Sequence, residues 1–321
     1  MLIFHSLQEI PHGFGPSIVT IGNFDGVHRG HQSVFAELIE RARGRNALAV
    51  AIIFEPHPGR LLRPDLPLQL ITPLQQKLEL LRATGIDAVL ILPFTQQLSQ
   101  LSALQFAGTV LRDALHAIEV HEGENFRFGR DANADVHTLA SLGAELGFTV
   151  HVHPARVWRG IPISSSRIRA AIQQGDMRTA RQLLGRPFAI CSTPAHGRGY
   201  GSRHTVPTIN LAPYPELLPE NGVYITCMQV GDERFEAVTN VGNRPTFGEN
   251  SFAVESHLLN FHPMELGEAT PLVLHFLDRI RAEMHWPSPE ALKAQIGRDV
   301  SQARHYFALW KAQRSPQTQR L

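Results

Sequence analysis

Along the first half of the chain, short runs of β-branched and apolar residues alternate with longer stretches in which apolar positions recur every three or four residues. The runs are Ser17–Ile21, Ala47–Phe54, Ala88–Leu92, Ala117–His121 and Thr149–Val152, and the stretches are His31–Arg43, Pro73–Ala83, Ala103–Leu115 and Val136–Leu146. Unbroken apolar runs suit strands covered on both faces, and helical periods between them suit crossover helices. The pattern therefore predicts an α/β domain built on a doubly wound parallel sheet, with ligands bound beyond the carboxyl ends of its strands. Helices over Ser166–Gln173 and Met177–Leu184 lead to Arg186-Pro187, where the texture changes. Short apolar runs at Gly222–Val230, Phe235–Asn240, Ala253–Phe261 and Pro271–Leu277, among frequent Gly and Pro, predict a small antiparallel β-barrel, since closure removes exposed edges. A C-terminal helix, Pro289–Ala312, carries Leu292, Ile296, Val300, Ala303 and Phe307 at helical spacing and is expected to cover one side of that barrel. The expected division is residues 1–185, residues 186–314 and a polar tail, 315–321.

Composition narrows the function classes. A chain of 321 residues exceeds what one core usually organises, and 43% hydrophobic with 18% charged residues describes a folded protein. Thirty Lys plus Arg against 29 Asp plus Glu leave a formal charge of +1, too balanced for a protein whose main work is gripping phosphate backbones, so no nucleic-acid partner is expected. Cys191 and Cys227 form no CxxC pair, which argues against a zinc signature and fits a reducing compartment. The opening MLIFHSLQEIPHG is not a signal peptide and no apolar run has spanning length, so a cytoplasmic protein without a membrane partner is expected. Only Lys77, Lys293 and Lys311 are lysines among the basic residues, a bias assigned to genome composition.

The segment Thr20–His31, TIGNFDGVHRGH, runs from the first apolar run through a glycine-rich turn into the first helical stretch. Glycine lets backbone approach a ligand, and the N–H groups of a helix start favour anions, so Gly22, Phe24, Asp25, Gly26 and Gly30 are candidate nucleotide contacts. His28 and His31 can both address one phosphate, donating hydrogen bonds as an α-phosphate changes geometry. An isolated HxGH is as often a pair of solvated turn residues. Here it is accompanied by Ser164-Ser165-Ser166-Arg167, where hydroxyls and a guanidinium at a helix start make a second anion cradle.

With Phe54-Glu55-Pro56-His57-Pro58 and Gly123–Gly129 (GENFRFG) between them, these segments resemble the adenylyltransferase half of the prokaryotic bifunctional riboflavin kinase/FAD synthetase family, over residues 15–186. The resemblance implies that His28 and His31 act on the ATP phosphates, that Ser165, Ser166 and Arg167 hold them, and that Asn125, Phe126 and Arg127 lie near nucleotide and flavin. His57, between two prolines, is either a flavin-site residue or part of a rigid loop. Asn125 stands where the family commonly has Asp, keeping an acceptor oxygen without the charge. In the implied reaction the attacking group of FMN is already a phosphate anion, so positioning and charge neutralisation by Mg²⁺ and cationic donors suffice.

In the second half, His196–Gly201 (HGRGYG) precedes Val206-Pro207-Thr208-Ile209-Asn210. Gly197 and Gly199 let the loop wrap phosphate, although no P-loop lysine follows. Thr208 and Asn210 alternate along a strand and share a face, where a hydroxyl and an amide oxygen suit Mg²⁺; an ordinary polar strand face would read the same. Together with Asn221–Tyr224, Asn240–Gly248 and Val254–Leu259 they resemble the riboflavin kinase half of the same family, over residues 186–310. The resemblance implies that Thr208 and Asn210 serve Mg²⁺·ATP and that Glu255 is the base for the ribityl 5′-hydroxyl, since an alcohol must lose a proton as it attacks. Two departures stand out. Thr205 replaces a family glycine, at odds with a positive φ, and Pro194 is expected to interrupt the first barrel strand.

The expectation is an enzyme that takes ATP, riboflavin and FMN as substrates, uses Mg²⁺, releases FAD, and has small molecules as its partners. A monofunctional FMN adenylyltransferase with a degenerate kinase domain is the nearest alternative. A non-catalytic flavin-binding regulator would be expected to have lost His28, Thr208 or Glu255, and all three are present. A HIGH-type aminoacyl-tRNA synthetase would share His28 and His31 but needs a lysine-bearing loop that none of the three lysines supplies.

Overall fold

The computed structural model describes residues 1–195, 208–243, 252–262, 264 and 266–314. The chain divides into two compact units, Met1–Ser165 and Ser166–Leu321.

In the first unit β1 (Leu2–Phe4), β2 (Ser17–Ile21), β3 (Leu48–Glu55), β4 (Ala88–Pro93), β5 (Ala117–Gly123) and β6 (Thr149–His153) pair in parallel, in the order β1-β4-β3-β2-β5-β6. Winding starts at β2, runs outward through β3 and β4, then reverses to β5 and β6, so the switch point lies between the carboxyl ends of β2 and β5. Helices α1 (Arg29–Gly44), α2 (Pro58–Leu62), α3 (Leu74–Thr84), α4 (Gln96–Ser99), α5 (Ala103–Phe106) and α6 (Val136–Leu146) connect the strands. A small hairpin, β7 (Val157–Trp158) with β8 (Ile161–Pro162), follows β6. The apolar runs are unbroken because both sheet faces are covered. Val19, Ile21, Val50 and Ile52 pack with Phe106, Val110 and Leu139 on one side, whereas Ile18, Ala51 and Ile53 pack with Phe35, Leu38 and Leu81 on the other. The helix expected over Ala103–Leu115 changes winding within itself: from Ala107 to Ala114 it is a π-helix, and Leu115 N–H donates to the Val110 carbonyl.

Beyond the first unit, α7 (Ser165–Gln173) and α8 (Met177–Leu184) precede six strands, β9 (Phe188–Ser192), β10 (Thr208–Asn210), β11 (Gly222–Val230), β12 (Glu233–Asn243), β13 (Phe252–Leu258) and β14 (Leu272–Ala282), with α9 (Pro289–Arg314) last. The strands pair antiparallel in the order β10-β13-β12-β11-β14-β9. A bridge between Pro194 and Leu211 joins the two ends, closing the expected barrel. The regular strand β9 ends at Ser192, short of Pro194, as expected of a proline there. Around it the ladder runs through Ala195 N–H to the Asn210 carbonyl at 2.7 Å and Ala212 N–H to the Thr193 carbonyl at 2.8 Å, so the position Pro194 occupies requires no N–H. Pairing thus resumes at Pro194 as a single bridge beyond the end of the regular strand. Thr205, Gly197 and Gly199 lie outside the described residues, as does the tail 315–321.

Arg178 in α8 pairs with Asp278 in β14 through Nε at 2.9 Å, which places α8 with the barrel even though the sequence changes texture only at Pro187. The second half of α9 covers the outer face, where Ala303 and Phe307 pack on Val223, Ile225, Val238 and Leu277. The first half departs from expectation: Leu292 and Ile296 remain 40% and 47% exposed, and contact there is polar, through Arg281 to Asp299 at 2.9 Å. Among the described residues no helix is long and apolar enough to cross a membrane.

Phe307 is 1% exposed and anchors the outer cluster. Phe307→Ala is expected to destabilise the second unit by about 3–5 kcal/mol, read as an earlier chemical unfolding transition; a loss under about 1 kcal/mol would show that α9 is not held by this contact.

Candidate functional site

The glycine-rich turn between β2 and α1 is held in conformations that side chains rarely adopt. Phe24 (φ 43°), Gly26 (φ 86°) and Val27 (φ 39°) all lie in the left-handed region. What fixes them is Asp25. Its carboxylate is buried and accepts from the Ile71 and Thr72 N–H groups, each at 3.0 Å, and from the Thr72 hydroxyl at 3.3 Å, while the Thr72 oxygen accepts from Gly26 N–H at 2.9 Å. Expected as a nucleotide contact, Asp25 turns its carboxylate into the scaffold of the loop.

His28 is the N-cap of α1, its Nδ1 accepting from His31 N–H at 3.4 Å, and the two imidazoles stack with centroids 3.5 Å apart. Gly30 makes the stack possible, since a Cβ there would stand 3.1 Å from the His28 ring. Gly22 serves Phe24 in the same way: a Cβ would come within 2.9 Å of the phenyl ring that packs edge-on against His31. Burial first, then His28 and Lys77, push the His31 pKa well below its ordinary value, so His31 is neutral at physiological pH. Its Nδ1 is buried without a hydrogen-bond partner among the described residues. Lys77, the only lysine of the first unit, is itself 1% exposed.

At the start of α7 the Ser165 hydroxyl donates to the Asp25 carbonyl at 2.9 Å, joining the serine segment to the glycine turn across 140 residues of chain. Ser166 and Arg167 follow in the first turn of that helix. At the switch point the end of β5 contributes Glu122, whose Oε1 accepts from Ile21 N–H at 2.5 Å and from the Thr20 hydroxyl at 3.5 Å. Burial raises its pKa well above the ordinary carboxylate value, which favours the protonated form.

Beyond the carboxyl ends of the strands lies a cleft of about 660 Å³. Asn125, Phe126 and Arg127 line it, together with Gly22 and Asn23. Its apolar walls were not anticipated: Phe54, Phe94, Phe106 and Phe128 face it alongside Phe126, which stacks on Phe128 with centroids 5.5 Å apart. A slot of aromatic side chains fits a flat heteroaromatic ring. Phe54 and Phe94 could have been found from their places at the ends of β3 and β4. His57 is not part of this lining. It caps α2, accepting from Gly59 N–H at 3.0 Å, and its neighbour Pro58 reaches the cleft instead.

In the barrel, register brings the second set of candidates together. Asn210 stands opposite Glu255 and Thr208 opposite His257, with Ile209 buried between them. On the other side of β13, Asn240 also faces Glu255. Alternation along β13 sends Val254, Ser256 and Leu258 inward, leaving Glu255 half-buried on the outer face with Thr208 and Asn210. Asn240 was quoted in the sequence motif but not as a site residue.

A doubly wound domain with an anion-type loop at its switch point, followed by a small closed barrel, is the build of a nucleotide-dependent transferase. A family model for FAD synthetase matches residues 11–167, and one for riboflavin kinase matches residues 184–307. A bifunctional riboflavin kinase/FMN adenylyltransferase of Pseudomonas fluorescens is 36% identical over 289 residues, covering 89% of this chain and 92% of its own. One from Escherichia coli K12 is 34% identical over 308 residues, covering 96% and 97%. The crystal structure of a Streptococcus pneumoniae protein described as a macrolide-efflux protein has the same fold, with a TM-score of 0.82 and 27% identity over 94% of this chain and 98% of that one. The chain belongs to the bifunctional riboflavin kinase/FMN adenylyltransferase family.

Glu122 gives this site a pH signature. Its folded pKa is raised above the ordinary 4.5, so the stability it contributes is full below that value and is lost as pH rises toward the folded pKa. Glu122→Gln keeps the oxygen that accepts from Ile21, and is expected to flatten the decline in stability from mildly acidic to mildly alkaline pH. An unchanged slope in unfolding experiments would show that Glu122 is ionised in the fold.

Proposed function

We infer that this chain phosphorylates riboflavin to FMN with ATP, and then adenylylates FMN to FAD with release of pyrophosphate, using separate sites in its two units. The observation that carries the kinase half is the register that sets Asn210 beside Glu255, with Thr208 on the same face. At that face the riboflavin 5′-hydroxyl attacks the γ-phosphorus of ATP, its proton passes to the Glu255 carboxylate, and ADP leaves. The Thr208 hydroxyl and the Asn210 amide are hard oxygen donors beside a carboxylate, a set that fits Mg²⁺ better than a softer ion, so these two residues would hold it. When bound, Mg²⁺ neutralises phosphate charge.

At the switch point of the sheet the reaction needs no base, because the FMN phosphate is already an anion when it attacks the α-phosphorus of ATP. His28 and His31 are assigned to the ATP phosphates, His31 acting as a neutral N–H donor, with Ser165, Ser166 and Arg167 as the further phosphate contacts. The aromatic cleft is assigned to the flavin, with Asn125, Phe126 and Arg127 at its rim.

Two variants separate the sites. His28→Ala combined with His31→Ala is expected to abolish conversion of FMN to FAD while riboflavin is still phosphorylated, followed by chromatography of the flavins. Equal loss of both activities in a folded double variant would reject the two-site reading. Glu255→Gln removes only the proton acceptor and is expected to slow phosphorylation by roughly 10²–10⁴-fold with adenylylation unchanged. A drop under about threefold would reduce Glu255 to a surface carboxylate, and wild-type protein that converts FMN but not riboflavin would support the monofunctional alternative.

A further inference from the structure

The flank of the sheet formed by β5 and β6 carries titratable side chains that neither reaction uses. Glu119, His121, His151 and His153 project from one face, because alternate residues share a face and His121 stands opposite His151 in register. Helix α1 adds Glu37, Arg41 and Arg45 at four-residue spacing, each reaching a member of the group. Glu119 and His121 are fully buried and the His153 side chain is 13% exposed, whereas the Glu37 side chain is 52% exposed.

His121 is oriented at both ends. Its Nδ1 lies 3.0 Å from His153 Nε2, and its Nε2 lies 3.3 Å from Glu119 Oε2. Glu119 is in turn clamped by Arg41 at 2.6 Å and Arg45 at 2.8 Å. His153 turns its other nitrogen, Nδ1, toward Glu37 Oε2 at 3.4 Å. Two overlapping sets offer one donor atom per residue with those atoms within 4.8 Å of each other: Glu37, His121 and His153, and Glu119, His121 and His151. The second set is already neutralised, since Arg41 Nη2 approaches His151 Nε2 to 3.2 Å and both guanidinium groups sit on Glu119. A divalent ion there would meet two fixed positive charges. In the first set the carboxylate stands at the solvent edge, where an ion can enter.

We propose that Glu37, His121 and His153 form a binding site for a borderline divalent transition ion such as Zn²⁺, with a fourth position left to water. Two imidazoles and one carboxylate are a donor set that zinc accepts. The separation of the two facing nitrogens is close to the roughly 3.3 Å that two nitrogens span on one tetrahedral zinc. Glu119 supplies the outer carboxylate that, by accepting from His121 Nε2–H, leaves Nδ1 with its lone pair directed at the ion. The ion would tie the third turn of α1, the helix capped by His28, to β5, which borders the switch point, and to its neighbour β6. Its role is thus to stiffen the first unit.

The test uses the full chain, stripped with a chelator and titrated with Zn²⁺ alone, with Co²⁺ as a spectroscopic stand-in. One equivalent should bind, Co²⁺ should show the intense visible bands of a tetrahedral N/O site, and Zn²⁺ should raise the melting temperature by mass action. Glu37→Gln, at an exposed helix position that tolerates exchange, and His153→Gln should each weaken Zn²⁺ binding by at least about tenfold, with His151→Gln within about threefold of wild type. Circular dichroism and retained FAD formation from FMN confirm that the variants fold. The proposal is overturned if Zn²⁺ binding is absent, if it is indifferent to Glu37→Gln and His153→Gln, or if His151→Gln abolishes it while Glu37→Gln does not.

Discussion

The arrangement of the first unit depends on one buried carboxylate. A turn in which Phe24, Gly26 and Val27 all adopt positive φ does not hold itself, since each non-glycine residue in that region costs about 1–3 kcal/mol. Asp25 offsets this with hydrogen bonds from two backbone N–H groups and a hydroxyl, each contributing about 1.5–3 kcal/mol to a charged acceptor. Thr72 completes the ring by accepting from Gly26. With the turn fixed, α1 must start at Arg29, His28 becomes its cap, and His31 falls one turn later under the same ring. The positions of both histidines thus follow from a residue whose own side chain points away from the cleft.

In the second unit the corresponding constraint is parity. Ser256 faces inward, where its hydroxyl meets Thr239 at 2.7 Å, and Thr239 meets Thr226 at 2.6 Å. This buried hydroxyl chain pairs its members with one another and leaves Glu255 on the outer face. A slip of one residue in β13 would bury a carboxylate and expose the hydroxyl, so the polar chain inside the barrel and the acidic residue outside it enforce a single register. Closure through Pro194 and Leu211 then aligns β10, bringing Thr208 and Asn210 alongside.

Much of this was legible in the sequence because covered strands and crossover helices impose strong periodicity. The core strands β2 to β6 and helices α1, α3, α6 and α8 fall where the apolar pattern predicts them, within a residue or two at their ends. What the pattern missed lacks a period. β1 has three residues, the β7–β8 hairpin has two per strand, and the π-helical stretch from Ala107 differs from an α-helix only in which carbonyl each N–H finds. Leu292 and Ile296 carry the right spacing yet stay in solvent, since spacing fixes a stripe and not whether the barrel extends beneath it. Within the site, motifs identified the loop residues but could not distinguish a ligand contact from an anchor. Asp25 and His57 are both engaged by backbone N–H groups close by. The aromatic cleft was hidden for another reason: its five phenylalanines come from β3, the residue after β4, α5 and the loop after β5, and converge only once the sheet is assembled.

The two proposed sites also differ in electrostatics. Around the switch point, burial favours the neutral forms of His31 and Glu122, and in those forms neither residue sets a fixed anion before two phosphate-bearing substrates. An acid–base pair there would serve no purpose when the attacking oxygen already carries charge. Glu255 instead stands half-buried on an outer barrel face, in register with Asn210 on one side and Asn240 on the other. An alcohol that must surrender a proton needs such a group. On the proposed assignment, the acidic group that the β13 register presents serves the reaction whose nucleophile must first lose a proton.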